Sequence, residues 1–111
     1  MSNLTDIRPK TVKITLDKER SLLYDFNALA ALEEEYGDIE KALDALARGS
    51  VKAIRAVLWA GLLHEDETLT VKQVGKMLMP ADIGRVGDAI NEALRYAFPL
   101  AEGKNVENPP Q

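Results

Sequence analysis

Residues 54–78 read IRAVLWAGLLHEDETLTVKQVGKML, and this stretch decides the fold. An apolar helix that carries the only tryptophan, Trp59, is followed by the acidic letters HEDE and then by a second helix start. Apolar residues spaced by three, four and seven share one helix face, which predicts a core-facing stripe of Val51, Ile54, Leu58 and Leu62. Trp59 and Leu63 lie about 100° or more from that stripe. The helix is therefore either central to its domain or partly offered to a partner.

The residues before this stretch predict a β-hairpin. In TVKITL, residues 11–16, apolar side chains alternate and point to one face. The β-type pattern resumes at residues 21–24 after the polar letters DKER, which we assign to the connection.

Helical spacing and capping residues predict two short helices after the hairpin. The first begins at Phe26 with Asp25 or Asn27 as its N-cap and ends at Gly37. The second begins after Asp38, which is a further N-cap, and is closed by a glycine, Gly49.

The same signals predict the remaining helices. Ser50 caps the apolar helix, which we expect to run to about His64. Thr70 and Gln73 have the spacing of a capping box, and this helix should reach about Met79. A final helix follows, with a stop at Pro80, an N-cap at Asp82 and an end at Phe98 before Pro99.

These elements predict an α+β fold that is mostly α, with an N-terminal β-hairpin packed on four or five short helices. The chain has 111 residues, which suits one domain over residues 11–99. We expect residues 1–10 to be a flexible lead-in and residues 100–111 a disordered tail, because both are polar and contain proline.

Composition excludes several classes of protein. Cysteine is absent and His64 is the only histidine, so the sequence predicts no disulfide and no zinc site. The net charge is −4, and residues 26–67 hold nine acidic and four basic residues, which disfavours nucleic-acid binding. No apolar run approaches the roughly 20 residues that cross a bilayer, and no signal peptide is visible. We therefore predict a cytoplasmic protein that binds neither membrane nor nucleic acid.

No group of residues predicts catalysis, a cofactor or a metal ion. The HEDE letters lie on one loop and point in different directions, so we interpret them as solvated. Glu33, Glu34 and Glu35 spread over about 200° of a helix and do not converge. Glycines at Gly84 and Gly87 lack a phosphate-loop pattern, and we attribute them to close helix packing. The sequence predicts that the protein is not an enzyme.

One alternative is a helix–turn–helix DNA-binding protein. Residues 69–94 form a predicted helix, a turn and a second helix that would enter the major groove over residues 83–94. The charges on that second helix nearly cancel, which gives little attraction for phosphates.

The order of the pieces resembles the small tail assembly chaperones of long-tailed bacteriophages, prophages and gene transfer agents. A KITL hairpin runs into DFNALAALEEEYG, then into the stretch that contains LWAGL, an acidic loop and LT, and last into IGRVGDAINEALRYAFP. The likeness covers residues 11–99. It implies a non-enzymatic protein that binds the tape-measure protein, keeps it soluble and helps tail tube subunits polymerise onto it. In such systems a longer form made by translational frameshifting near the end of the gene is common.

An apolar, adaptable surface would serve this role, and methionine suits irregular partners. We predict as partner-binding residues Trp59, Leu63, Met77 and Met79. The alternatives are a structural tail-completion or adaptor protein and, on the same apolar face, a homo-oligomer.

Overall fold

Two antiparallel strands and five α-helices make up residues 10–99, which are the residues that a computed structural model of the chain describes. In chain order they are β1 (Val12–Thr15), β2 (Glu19–Leu22), α1 (Phe26–Tyr36), α2 (Ile39–Ala47), α3 (Val51–Leu62), α4 (Val71–Gly75) and α5 (Ile83–Ala97). A short 3-10 turn, Pro80–Asp82, leads into α5. The predicted α+β, mostly α fold is confirmed. The predictions for residues 1–9 and 100–111 lie outside the described residues.

The hairpin begins its second strand earlier than predicted. β2 starts at Glu19, so half of the DKER segment belongs to the strand rather than to the connection. Arg20 pairs with Ile14 across the sheet and is 7% exposed. Its guanidinium donates to both carboxylate oxygens of Asp17, at 2.7 and 2.9 Å. Because its charge is paired, Arg20 can occupy a buried position of β2. The polar residues of this segment gave no sign that the position is buried.

The caps of α1 and α2 follow the prediction. The Asp25 carboxylate accepts a hydrogen bond of 2.8 Å from the backbone N–H of Ala28. Gly37 has a φ of +96° and ends α1, because its N–H donates to the carbonyl of Glu33 in a left-handed conformation. Asp38 then caps α2.

α3 is the central element of the fold. Its buried residues make up most of the helix: Ala53, Ile54, Ala56, Val57, Leu58, Ala60, Gly61 and Leu62. One member of the predicted core stripe is misplaced, since Val51 is 67% exposed. Val51 lies in the first turn of α3 and lines a surface groove between α3 and α4 instead of the core. The helix also ends at Leu62, slightly before the predicted end near His64.

The hairpin packs closely on α3 at Gly61. A Cβ atom at this position would lie 2.8 Å from Tyr24 Cζ and 3.0 Å from Leu22 Cδ2. Tyr24 is buried, and its hydroxyl donates a 2.7 Å hydrogen bond to the Val57 carbonyl. The N–H of Leu23 donates to the Gly61 carbonyl at 3.0 Å. Only glycine leaves room for this contact.

α4 has the predicted start but is shorter than predicted. The Thr70 hydroxyl accepts from the N–H of Gln73 at 3.1 Å, and the Gln73 side chain accepts from the N–H of Thr70 at 2.9 Å. The helix ends at Gly75 instead of near Met79. Met79 is extended, with φ −118° and ψ 160°, because the proline that follows disfavours the helical conformation of the preceding residue.

Two predictions about α5 are wrong. Asp82 does not cap α5; its carboxylate accepts from the N–H of Met79 at 2.8 Å and closes the 3-10 turn instead. Gly84 and Gly87 have open space where a Cβ would stand, so they do not serve close helix packing. The core face of α5 is formed by Val86, Ile90 and Ala93.

Candidate partner-binding groove

An apolar groove opens between the first turns of α3, α4 and the segment that connects α4 to α5. Its volume is about 520 Å³. We define the apolar groove by its hydrophobic lining, which is Val51, Ile54, Leu78, Met79, Pro80 and Ile83. The extended conformation before Pro80 turns this connection along the side of the groove instead of continuing α4.

Much of this lining is uncovered. Met79 is 68% exposed, Val51 67% and Ile83 41%. Leaving a large apolar side chain in water forgoes roughly 1.5 to 3 kcal/mol per residue. Single exposed apolar residues are common, but three that line one concave surface make the groove a candidate binding site.

Three cations complete the lining: Arg55, Lys72 and Lys76. No acidic residue lies among the residues of the groove, although the whole chain carries a net charge of −4. Lys72 and Lys76 are four residues apart and share a helix face. Within residues 10–99, the ion pairs involve other cations than these three.

Arg55 lies along the contact between α3 and α4. A Cβ on Gly75 would stand 3.0 Å from Arg55 Cδ, so glycine allows the arginine stem to pass close to α4. Arg55 Nε is buried without a hydrogen-bond partner. A buried donor without a partner is rare, and here it is one nitrogen of a half-buried guanidinium.

The structure separates the four residues that the sequence predicted for partner binding. Trp59 is half-buried and donates a 2.8 Å hydrogen bond from Nε1 to the Leu69 carbonyl. Leu63 and Met77 are also half-buried and pack against the core. Met79 alone among the four lines the groove and is exposed. The partner-binding role of all four stays a prediction.

The groove residues that sequence analysis missed carried weak signals. Val51 has helical spacing with buried residues and was predicted to face the core, whereas Ile83 was predicted only as part of the last helix. Lys72 and Lys76 flank Gly75, and this pattern of a glycine between cations, followed by a proline, was the available signal. It becomes informative only when α4 is known to end at Gly75.

The acidic loop after α3 is tied to the hairpin. His64 Nε2 lies 3.0 Å from the Ser21 carbonyl oxygen and 3.2 Å from its Oγ, and the Ser21 hydroxyl donates to Glu65 at 2.7 Å. His64 and Glu65 are exposed, as a solvated loop requires, but their contacts hold the end of α3 on β2. In a nucleophilic triad the histidine bridges serine and carboxylate, whereas here the serine is the bridge.

The segment of the helix–turn–helix alternative consists of the five-residue α4, the 3-10 turn and α5. Arg85 on α5 donates a 2.7 Å hydrogen bond to the Thr15 carbonyl and pairs with Asp82. Its guanidinium is thus engaged within the fold. DNA binding stays an untested alternative.

Across residues 10–99, none of the helices combines the length and apolar character needed to cross a membrane. The same part of the chain holds no group of three histidine or acidic side chains placed to bind a metal ion. Comparison with models of known protein families, with curated proteins and with solved structures found no match. Arguments about function therefore rest on the residues themselves.

Proposed function

We propose that this chain is a tail assembly chaperone of a long-tailed bacteriophage, a prophage or a gene transfer agent. It acts without catalysis in the cytoplasm of the bacterial host. It binds the tape-measure protein, keeps that long chain soluble and assists the polymerisation of tail tube subunits around it. The observation that carries the proposal is the uncovered apolar groove.

The groove suits a holding protein for two reasons. Its exposed side chains include Met79, whose flexible thioether adapts to irregular apolar partners. Its volume of about 520 Å³ accommodates a few apolar side chains of a partner and not a whole domain. A contact of that size releases readily, as a chaperone must when tube subunits replace it.

Two of the motifs that resemble tail assembly chaperones lie at the ends of helices α3 and α4, which line the groove. LWAGL forms the C-terminal end of α3 and includes four of its buried residues, and Thr70 of the LT that follows the acidic loop is the N-cap of α4. These two helices carry two sides of the groove.

The experiment is co-expression of this chain with the tape-measure protein of the same phage, prophage or gene transfer agent. We expect the tape-measure protein to move from the insoluble to the soluble fraction and to co-purify with the chain. An insoluble fraction that does not change with the chain would contradict the proposal.

Particle composition separates the chaperone from a structural role. We expect purified tails to lack this chain, because tube subunits replace the chaperone. A fixed number of copies in finished particles would instead identify a tail-completion or adaptor protein.

A further inference from the structure

We infer that the apolar groove binds an amphipathic helix of the partner protein whose apolar face is bordered by glutamate or aspartate. The inference rests on the proposed function, because it specifies which kind of segment the chaperone holds.

The apolar lining of the groove favours a partner segment with an apolar face. Val51, Met79 and Ile83 are exposed around a concave surface, while Ile54 is buried between them and the core. An amphipathic helix buries its apolar residues in such a groove and keeps its polar residues in water. The long apolar side chains of one such helix would cover the three exposed residues together.

The cations of the groove favour acidic residues along the border of the partner's apolar face. Lys72 and Lys76 are exposed one helical turn apart, and Arg55 reaches the same groove from α3. On the partner helix, acidic residues three or four positions apart lie along one side. Their spacing then matches that of Lys72 and Lys76. Carboxylates there gain attraction from all three cations, whereas lysine or arginine would be repelled by them.

Arg55 adds its positive charge to the groove lining, so an acidic side chain in the groove is attracted to it, although its buried Nε is out of reach of a partner. Nucleic acid also carries negative charge, but it offers no apolar face for Met79 and Ile83. The observations together favour a protein helix.

The first test uses two synthetic helical peptides of about 18 residues that share one leucine face. One peptide borders that face with glutamate and the other with lysine. We expect the full chain to bind the glutamate peptide at least about tenfold more tightly in calorimetric titration. Equal affinities, or a preference for the lysine peptide, would overturn the inference.

The second test changes the groove. In the double variant Lys72→Glu/Lys76→Glu, binding of the glutamate peptide should fall at least about tenfold, since attraction becomes repulsion. The matched control is Lys41→Glu/Arg48→Glu, which makes the same charge change at an exposed position of α2 and at its exposed C-cap residue. Its affinity should stay within about twofold of the unmodified chain. Equal losses in both variants would show a general charge effect and overturn the inference.

The two variants also separate this inference from the proposed function. If the unmodified chain solubilises the tape-measure protein and the groove variant does so equally well, the function stands and the groove inference fails. If the chain never binds the tape-measure protein yet prefers the glutamate peptide, the proposed function fails and the groove specificity stands. A dimer in sedimentation that dissociates in the groove variant would identify a second copy as the occupant and overturn the inference.

Discussion

Gly61 is the residue at which the hairpin and the central helix approach most closely. A methyl group there would overlap the ring of Tyr24, which is itself held by its hydrogen bond to Val57. We expect Gly61→Ala to lower the free energy of unfolding by about 1 to 3 kcal/mol, because the ring and strand must shift in a packed core. Urea denaturation measures this change. Unaltered stability would show that the contact is looser than described.

The matched glycine is Gly87, which lies inside α5 with open space around its Cα. We expect Gly87→Ala to raise the free energy of unfolding by about 0.5 to 1 kcal/mol, because alanine has the higher helix propensity. The same urea titration reports it. A loss of stability here would mean that α5 packs on a neighbour at Gly87, as the sequence had suggested.

The Asp17–Arg20 pair makes stability depend on pH. The hydrogen bonds from Arg20 hold the pKa of the Asp17 carboxyl at about 2, below its ordinary value of 3.8. A lowered pKa in the folded state stabilises the fold fully above about pH 4, and this contribution is lost as the pH falls towards 2. We expect Asp17→Asn to flatten the dependence of the unfolding free energy over that interval. Parallel curves for the two proteins would contradict the assignment.

Local residue chemistry was predictable and distant contacts were not. Asp25, Asp38 and Thr70 cap helices as predicted, because each cap bonds to backbone two or three residues away. The need for glycine at Gly61 depends on Tyr24, which is far away in sequence, so no local pattern shows it. Asp82 misled the prediction because its carboxylate has a nearer donor, the N–H of Met79.

At the scale of elements, α3 and the chain that follows it are held together by Trp59. The indole hydrogen bond to the Leu69 carbonyl fixes the acidic loop just before α4 begins. We expect Trp59→Ala to destabilise the fold by about 3 kcal/mol, since the substitution removes both this bond and core packing. Thermal unfolding monitored by circular dichroism tests this expectation.

Trp59→Phe is the control for that variant, because it keeps an aromatic ring and loses only the indole donor. We expect it to be more stable than Trp59→Ala. If Trp59→Ala left the melting temperature unchanged, the side chain would be free for a partner, as the sequence-based prediction proposed.

The order and type of the elements were predictable because their hydrophobic periods are strong. The length of α4 was not, since four helix-compatible residues follow Gly75 before the proline. The groove depends on that early end, because the extended segment at Met79 forms one of its sides. Met79 was therefore the one groove residue predicted to bind a partner, while Val51 was predicted to face the core.

At the scale of the whole molecule, charge and apolar surface are distributed unequally. The chain is acidic overall, yet the charged residues that line its uncovered apolar groove are all cations. Long-range repulsion between copies of an acidic chain favours separate molecules, while the groove attracts a helix of opposite charge. We therefore expect the partner to bind at the apolar groove, while the acidic surfaces elsewhere stay in water.

Hydrogen exchange of the full chain, free and bound to the tape-measure protein, tests this central claim most directly. We expect amide exchange within residues 51–55 and 72–83 to slow at least about tenfold on binding, because the bound helix covers the groove and opposes local opening of these segments. The exposed face of α2 should exchange as it does in the free chain. Protection on α2 with unchanged exchange around the groove would contradict the account.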